Sequence, residues 1–153
     1  MEKVRNDLDE ALGDLRGKRI GVVGNQTSVA EGMVHLVDVL REEEGVELTT
    51  LFAPEHGFYG EMDAKIDSGI DSRTGLHVHS LYGSSRKPDP EMLDRIDVMV
   101  FSIQDVGVRF YTYISTMYHC MQAAADRGIS FVVVDRPNPI TGTRVEGNVS
   151  TEA

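Results

Sequence analysis

The chain has 153 residues, of which 41% are hydrophobic, the size and mixture expected of one compact domain with its own core. Twenty-five acidic residues against fifteen basic ones give a formal charge of −10, which argues against nucleic acid as a partner because the phosphate backbone would be repelled. No apolar run approaches the roughly 20 residues of a membrane span, and the first residues lack the basic and apolar segments of a signal peptide, so the default location is the cytoplasm.

The first half of the chain predicts two helices that alternate with two strands. Apolar residues at helical spacing predict a helix over Val4–Leu15 that stops at Gly17. The β-branched run Arg19–Gly24 predicts a strand, the apolar positions of Met33–Leu40 predict a helix, and Val46–Ala53 predicts a second strand. The chain then enters a glycine-rich stretch without periodicity, typical of a functional loop.

The second half repeats this alternation after the long loop, which runs over residues 56–75. Asp89 and Pro90 have the residue types of a helix N-cap and first helical position, and Gly128 those of a helix stop. The predicted elements are, in order, a strand, a helix, a strand, a helix and a strand, over Val78–Tyr82, Glu91–Ile96, Asp97–Ile103, Phe110–Ala124 and Ile129–Val134. Continuous apolar strands between helices predict an α/β fold, a Rossmann-like three-layer sandwich around a mostly parallel sheet of about five strands.

Polar residues follow each apolar strand, where a parallel α/β sheet binds its ligands. They form four groups that we expect to converge: Asn25, Gln26, Thr27 and Ser28; Glu55 and His56; Gln104, Asp105, Arg109, Tyr111 and Tyr113; and Asp135, Arg136 and Asn138.

The first group does not form a dinucleotide-binding loop. Gly21 and Gly24 lack the third glycine of the pyrophosphate fingerprint, and no phosphate-binding lysine follows. Turn and helix-cap chemistry explains Asn25 and Ser28, and hydrogen bonds to a sugar are the functional alternative. His79 and its neighbour His77 have no acidic or cysteine partner at a metal-binding spacing, so we predict no metal site and no cofactor.

Two groups have residue types suited to glycoside chemistry. Glu55 follows a buried strand among hydrophobic neighbours, which suits a general acid, although a structural ion pair or cap is the ordinary explanation of such a residue. Asp105 and Arg109 would pair with each other on a helix, but Gly107 argues against a helix there. In a loop they would instead bind a polyhydroxylated, anionic ligand. Arg109 would bind the carboxylate of the ligand, and Asp105 would bind its hydroxyl groups.

Together these motifs resemble the exo-β-N-acetylmuramidase (NamZ-type) family. The strings that carry the resemblance span about Leu15 to Asn148 and include GNQTSV, LFAPEHGFYG, TGLHVHSLYG, QDVGVRFYTY and DRPNPITGTRVEG. The resemblance implies a hydrolase that removes β-1,4-linked N-acetylmuramic acid from the non-reducing end of peptidoglycan fragments. It also implies a Rossmann-like domain followed by a second α/β domain, with the active site between them.

Residue by residue, the resemblance implies Glu55 as a catalytic carboxylate with His56 beside it. The substrate-binding residues implied are Asn25, Gln26, Asp105, Arg109, Tyr111, Asp135 and Asn138. Gly24 departs from the family, whose members commonly have threonine there.

The resemblance also sets expectations for the whole chain. Residues 1–153 are expected to be the single Rossmann-like domain, with the second domain absent, so that the hydrolase would be incomplete and could self-associate through the exposed interface. The alternative is a saccharide-binding or remnant module without turnover. The family leaves an extracytoplasmic location open.

Overall fold

The computed structural model describes residues 12–60, 68–82 and 86–149, which form one mixed sheet with helices on both faces. Five neighbouring strands are parallel, and a two-residue strand pairs antiparallel at one edge. The strands are β1 (Arg19–Val23), β2 (Glu47–Ala53), β3 (Gly69–Ile70), β4 (His77–Ser80), β5 (Val98–Phe101) and β6 (Ser130–Val133), in the spatial order β3-β4-β2-β1-β5-β6.

Within the described residues, two α-helices lie between strands, α1 (Leu36–Glu42) and α2 (Tyr113–Arg127). Two 3-10 turns cover Glu31–Met33 and Pro90–Leu93, and residues 12–15 are also helical. α2 ends at Gly128 in the left-handed conformation (φ 66°), where the backbone N–H bonds back to the last turn. No helix in the described part of the chain combines the length and hydrophobicity of a membrane-spanning segment.

Each face of the sheet is covered by its own apolar cluster. The first cluster packs α1 and residues 12–15 against the sheet, and its buried members include Leu15, Leu36, Leu40, Ile20, Val22 and Leu51. The second packs α2 and the Pro90–Leu93 turn against the other face, and its buried members include Cys120, Ala123, Leu93, Ile96, Phe52 and Met99. Both faces of the central strands are therefore buried, which explains why the sequences of β1 and β5 consist mainly of apolar residues.

The order of the strands places a topological switch point between β1 and β5. From β1 the chain moves outward through β2 and β4 on one side, then returns to β5 and continues outward to β6 on the other. The loops after β1 and β5 therefore leave the sheet in opposite directions and open a crevice at its carboxyl edge. Polar residues beyond these two strands lie at the position where open α/β sheets bind ligands.

The α/β class and the mostly parallel sheet are confirmed, whereas several element bounds differ from the prediction. The loop predicted over residues 56–75 contains β3, too short to show a pattern. The helix expected at Glu91–Ile96 is a 3-10 turn, and Asp89 makes no side-chain capping bond there. Part of the helix predicted at Val4–Leu15 lies outside the described residues.

The prediction for the long second-half helix was wrong at its start and in part of its buried face. α2 begins at Tyr113, and Phe110 lies before it, 79% exposed. Ile114 and Met121 point to solvent, whereas Ala124 is buried as predicted, together with Cys120. Helical spacing fits either stripe, and only the location of the sheet decides which one is covered.

One exposed ion pair joins the start of β1 to the start of β5. Asp97 accepts hydrogen bonds from the Arg19 guanidinium, with Nη2 to Oδ1 at 2.7 Å and Nε to Oδ2 at 3.1 Å, and from the Arg19 backbone N–H at 2.9 Å. The side-chain bond from Arg19 is the main reason why the pKa of Asp97 falls to about 2.

Because the folded-state pKa of Asp97 lies below its ordinary value of 3.8, the ion pair stabilises the fold fully above that pH and loses its effect as the pH falls toward about 2. We therefore expect the difference in unfolding free energy between the wild type and Asp97→Asn to shrink as urea titrations move from pH 5 to pH 2. Glu91→Gln, at an exposed carboxylate, is the control and should show a constant difference. A constant difference for Asp97→Asn as well would contradict the prediction.

Candidate functional site

The loop after β1 folds around the side chain of Asn25, which is fully buried. Its Oδ1 accepts hydrogen bonds from the backbone N–H of Thr27 at 2.8 Å and from the Thr27 hydroxyl at 2.6 Å, an arrangement that forms a tight turn. Its backbone N–H donates to Ser28 Oγ at 3.0 Å, and its carbonyl lies 3.0 Å from His35 Nε2. His35 Nδ1 accepts from the backbone N–H of Val37 at 3.3 Å, so Nε2 carries the hydrogen that donates to Asn25, and burial lowers the pKa of this ring.

The same loop is bonded to the loop after β5 across the switch point. The hydroxyl of Ser28 donates to the carbonyl of Ser102, and the backbone N–H of Gln104 donates to Thr27 Oγ1 at 3.0 Å. These bonds fill the base of the crevice with the protein's own polar groups. A ligand at the switch point would therefore bind above this layer.

Arg136, which follows β6, extends over both loops from the other side. Its Nη1 donates to the carbonyl of Thr27 at 3.2 Å, and its Nη2 donates to Ser102 Oγ at 2.8 Å. Burial lowers the pKa of the guanidinium, although it stays charged at any physiological pH. Three loops that are distant in sequence are thereby joined at one point.

A cleft of about 280 Å³, here called the switch-point cleft, lies between α2 and the loops after β5 and β6. Its polar lining residues are Gln104, Asp105, Tyr113, Asp135, Arg136 and Asn138. The carboxylates of the two aspartates accept backbone bonds, Asp105 from Gly107 N at 2.6 Å and Asp135 from Arg136 N at 2.8 Å. The residues predicted after β5 and β6 are thus partly brought together, with carboxylate and amide oxygens suited to sugar hydroxyl groups.

Glu55 lies in a second, smaller cleft of about 130 Å³, here called the Glu55 cleft. The start of α2 and the loop after β4 enclose it, with Tyr82, Arg86, Thr112, Ser115, Thr116 and His119 in its lining. The Tyr82 hydroxyl bonds to the Glu55 carboxylate, which raises the pKa of Tyr82. A donor hydroxyl and the N-terminal end of a helix both orient a carboxylate at this place.

Tyr113, the first residue of α2, is the side chain that connects the two clefts. It lines the switch-point cleft, and its pKa is raised first by burial and further by the negative charge of Glu55. The side-chain amide of Asn25 faces it and acts in the opposite direction on that pKa. Asn25 Nδ2 is buried and forms no hydrogen bond of ordinary geometry, so an amide donor lies beneath the Tyr113 phenol.

The remaining predicted residues lie around the clefts and not in their linings. His56 is exposed in the turn after Glu55, with a left-handed backbone (φ 69°). Gln26 is exposed against Gly60, where an added Cβ would meet its side chain at 2.9 Å. Arg109 donates to the carbonyl of Asn148 at 3.0 Å. Tyr111, 38% exposed, packs edge-on against Tyr113.

Sequence reasoning did not single out Tyr82, and it placed Tyr113 and Arg136 in the converging polar groups but not among the implied substrate-binding residues. Tyr82 follows β4, which is adjacent to β2 only because of the strand order, and no local pattern shows this. Arg136 was recognised as part of the group after β6, but its partners are 109 and 34 residues away in the chain. Among residues 12–60, 68–82 and 86–149, no three His, Cys, Asp or Glu side chains converge as metal ligands would.

Comparison with known proteins identifies the family. The family model described as the N-terminal part of the exo-β-N-acetylmuramidase NamZ matches residues 20–153. The chain belongs to this family. It is 48% identical over 153 residues to the peptidoglycan β-N-acetylmuramidase NamZ of Bacillus subtilis strain 168, a match that covers 96% of this chain and 37% of that protein. The chain thus spans well under half the length of this curated relative.

Two crystal structures of DUF1343 family proteins from Bacteroides fragilis NCTC 9343 have the same fold. The first is 47% identical with a TM-score of 0.84, and the match covers 97% of this chain and 38% of that one. The second is 37% identical with a TM-score of 0.71, and the match covers 86% of this chain and 33% of that one. The muramidase resemblance expected from the motifs is therefore confirmed at the level of the family.

Gly24, at the end of β1, lies where the structure does not accommodate a side chain. An added Cβ would lie 2.8 Å from Ser28 Oγ and 3.1 Å from Phe58 Cζ. Ser28 Oγ cannot move away without losing its bonds to Asn25 and Ser102.

We expect Gly24→Ala to lower the free energy of unfolding by about 1–3 kcal/mol, the usual cost of overpacking a closed site. Thermal and urea unfolding would measure it. Gly142→Ala is the matched control because nothing lies within 4 Å of its added Cβ, and it should change stability by less than about 0.5 kcal/mol. Equal effects of the two substitutions would show that the loop has room for a side chain.

Proposed function

We propose that this domain supplies the catalytic carboxylate, Glu55, of an exo-acting β-N-acetylmuramidase that removes terminal β-1,4-linked N-acetylmuramic acid from peptidoglycan fragments. The observation that carries the proposal is the position of Glu55. It lies at the carboxyl end of a central parallel strand, in a cleft, bonded to the Tyr82 hydroxyl and next to the start of α2. The family membership supplies the substrate class, since the relative from Bacillus subtilis is a peptidoglycan β-N-acetylmuramidase.

In the proposed reaction, the Glu55 carboxyl group donates a proton to the departing glycosidic oxygen while the bond from C1 to that oxygen breaks. Water then adds to C1 and restores the proton balance. Glycosidases usually need a second group at C1, and an N-acetyl oxygen of the substrate can serve in its place. N-acetylmuramic acid carries this N-acetyl group, so in a substrate-assisted reaction Glu55 is the one protein carboxylate that protonates the leaving group. In a two-carboxylate reaction, Asp105 or Asp135 of the neighbouring cleft is the residue to test next.

The surroundings of Glu55 assign supporting roles to its neighbours. Tyr82 and the first turn of α2 hold the carboxylate in one orientation, which matters because misplacement of a proton donor by about 1 Å costs about 10²-fold in rate. Tyr113 lies between Glu55 and the switch-point cleft, where its ring can contact a sugar. Asp105, Asp135 and Asn138 are proposed to bind the hydroxyl groups of that sugar.

The test is Glu55→Gln in a chimera in which this chain replaces the matching 37% of the Bacillus subtilis relative. Loss of the transferable proton should reduce kcat on a muramic acid disaccharide by about 10²- to 10⁴-fold with a much smaller change in KM. Glycosides with a nitrophenol leaving group need little protonation. Glu55→Gln should therefore hydrolyse them at a rate closer to that of the wild type. Glu47→Gln, at the exposed opposite end of β2, is the matched control and should retain full activity.

Two results would contradict this role for Glu55. Near-full activity of Glu55→Gln on the disaccharide would exclude it as the acid. An activity loss that follows the unfolded fraction in thermal melts would make Glu55 a structural residue. Saccharide binding without turnover by the wild-type chimera would favour the alternative of a non-catalytic binding module.

We also propose that the isolated chain self-associates through the outer face of α2. Ile114, Tyr118 and Met121 are spaced to lie on one stripe of the helix and are 64%, 58% and 45% exposed. Sedimentation velocity should show a mass that rises with protein concentration, and Ile114→Ser with Tyr118→Ser should restore the monomer. Val145→Ser, at a 98% exposed hydrophobic residue outside α2, is the control and should leave the association unchanged. A monomer at every concentration would refute the proposal.

A further inference from the structure

The positive charge of Arg136 is not paired with a carboxylate in the described part of the chain. Other arginines, such as Arg19 and Arg73, form ion pairs with an aspartate or a glutamate. Arg136 instead bonds to two neutral acceptors, the Thr27 carbonyl and the Ser102 hydroxyl. A partly buried cation without a counter-ion is costly unless an anion joins it.

The guanidinium still has donors to offer a ligand. Of its five N–H groups, the two bonds to Thr27 and Ser102 use two, and the side chain lines the switch-point cleft. These bonds also hold the planar group in one orientation, which is the condition for bidentate binding of a carboxylate.

The start of α2 adds a second source of positive potential to the same cleft. Tyr113 and Ile114, its first two residues, are part of the lining. Thr112 makes no side-chain capping bond to this end, and the first turn contains no acidic residue. The amide groups of this turn favour an anion in the switch-point cleft, while the Glu55 carboxylate faces the same helix end from the Glu55 cleft.

We propose that Arg136, with the first turn of α2, binds the carboxylate of the lactyl ether that distinguishes N-acetylmuramic acid from N-acetylglucosamine. This inference rests on the proposed function, and it assigns the selectivity of that function to one side chain. The sequence pointed to Arg109 for an anionic ligand, but Arg109 is exposed and bonds to the Asn148 carbonyl.

The two carboxylates of the same cleft set the direction in which the ligand binds. Asp105 and Asp135 accept bonds from the backbone N–H groups of Gly107 and Arg136, and neither neutralises the guanidinium. They repel an anion and accept bonds from hydroxyl groups. The lactyl carboxylate therefore binds at the Arg136 end, and the ring hydroxyl groups lie toward the aspartates.

The competing explanation is that Arg136 only fastens the loops after β1 and β5 together. A purely structural arginine would affect every ligand equally and would lower the melting temperature when replaced. A carboxylate-binding arginine would affect only ligands that carry the carboxylate. The two roles are therefore distinguished by comparing how strongly the substitution weakens binding of a ligand with the carboxylate and of a ligand without it.

The experiment is an amide NMR titration of this chain with three ligands. They are N-acetylmuramic acid, its neutral methyl ester and N-acetylglucosamine. We expect the acid to bind roughly 10- to 100-fold more tightly than the other two, the range of a charge-assisted hydrogen-bond pair. The shifted signals should include the amides of Tyr113 and Ile114. Equal dissociation constants for acid and ester, or no binding of the acid, would overturn the proposal without any variant.

The variants then assign the effect to one residue. Arg136→Gln should abolish the preference for the acid, and Arg136→Lys, which keeps the charge, should keep part of it. Arg127→Gln removes the same charge at the opposite end of α2 and should leave the preference unchanged. If Arg136→Gln fails to fold, Arg136→Lys is compared with the wild type instead. The assignment would be refuted by a preference for the acid that is unaltered in Arg136→Lys and in any folded Arg136→Gln.

The result is separable from that of the proposed function. If the protein prefers the acid but never cleaves N-acetylmuramic acid glycosides, the role of Arg136 in binding stands and the proposed hydrolase activity is refuted. Cleavage with equal rates on substrates with a free and an esterified lactyl group would retain the hydrolase and refute the role of Arg136.

Discussion

The structure depends on one constraint, that the buried polar backbone at the switch point between β1 and β5 must find hydrogen-bond partners within the protein. The turn around Asn25 meets it, together with the bonds that Ser28 and Thr27 form with the loop after β5. Arg136 closes the arrangement from the end of β6. Because these bonds hold three loops at fixed positions, the residues beyond them can form clefts of defined shape.

This arrangement also explains why the candidate site is divided into two clefts around the start of α2. The start of the helix contributes to the linings of both clefts, with Glu55 in one and Asp105 and Asp135 in the other. Tyr113 lies between the two sides and is coupled electrostatically to Glu55. A substrate that occupies both clefts must therefore pass Tyr113, which makes this ring the natural platform for a sugar.

The same region contains a local violation of good packing. Among the described residues, the fully buried Asn25 Nδ2 has no hydrogen-bond partner of ordinary geometry, a defect that typically costs about 1–3 kcal/mol. Within the same residues, Arg136 adds a partly buried charge without a counter-ion. Such defects are rare in a core that has only to be stable, and they are concentrated in proteins at places where a ligand completes the bonding. Their coincidence at the carboxyl edge of this sheet agrees with a site built for a polar, anionic molecule.

The sequence by itself determined the α/β class, the succession of strands and the polar groups after them, because periodicity and chain punctuation are local properties. It also determined the family, since motifs such as APEHGF and DRPNP are contiguous. It could not show which stripe of α2 is buried, that Tyr82 bonds Glu55, or that Arg136 and not Arg109 faces the cleft. Those facts depend on strand order and on bonds between residues up to 109 positions apart, which only the tertiary structure decides.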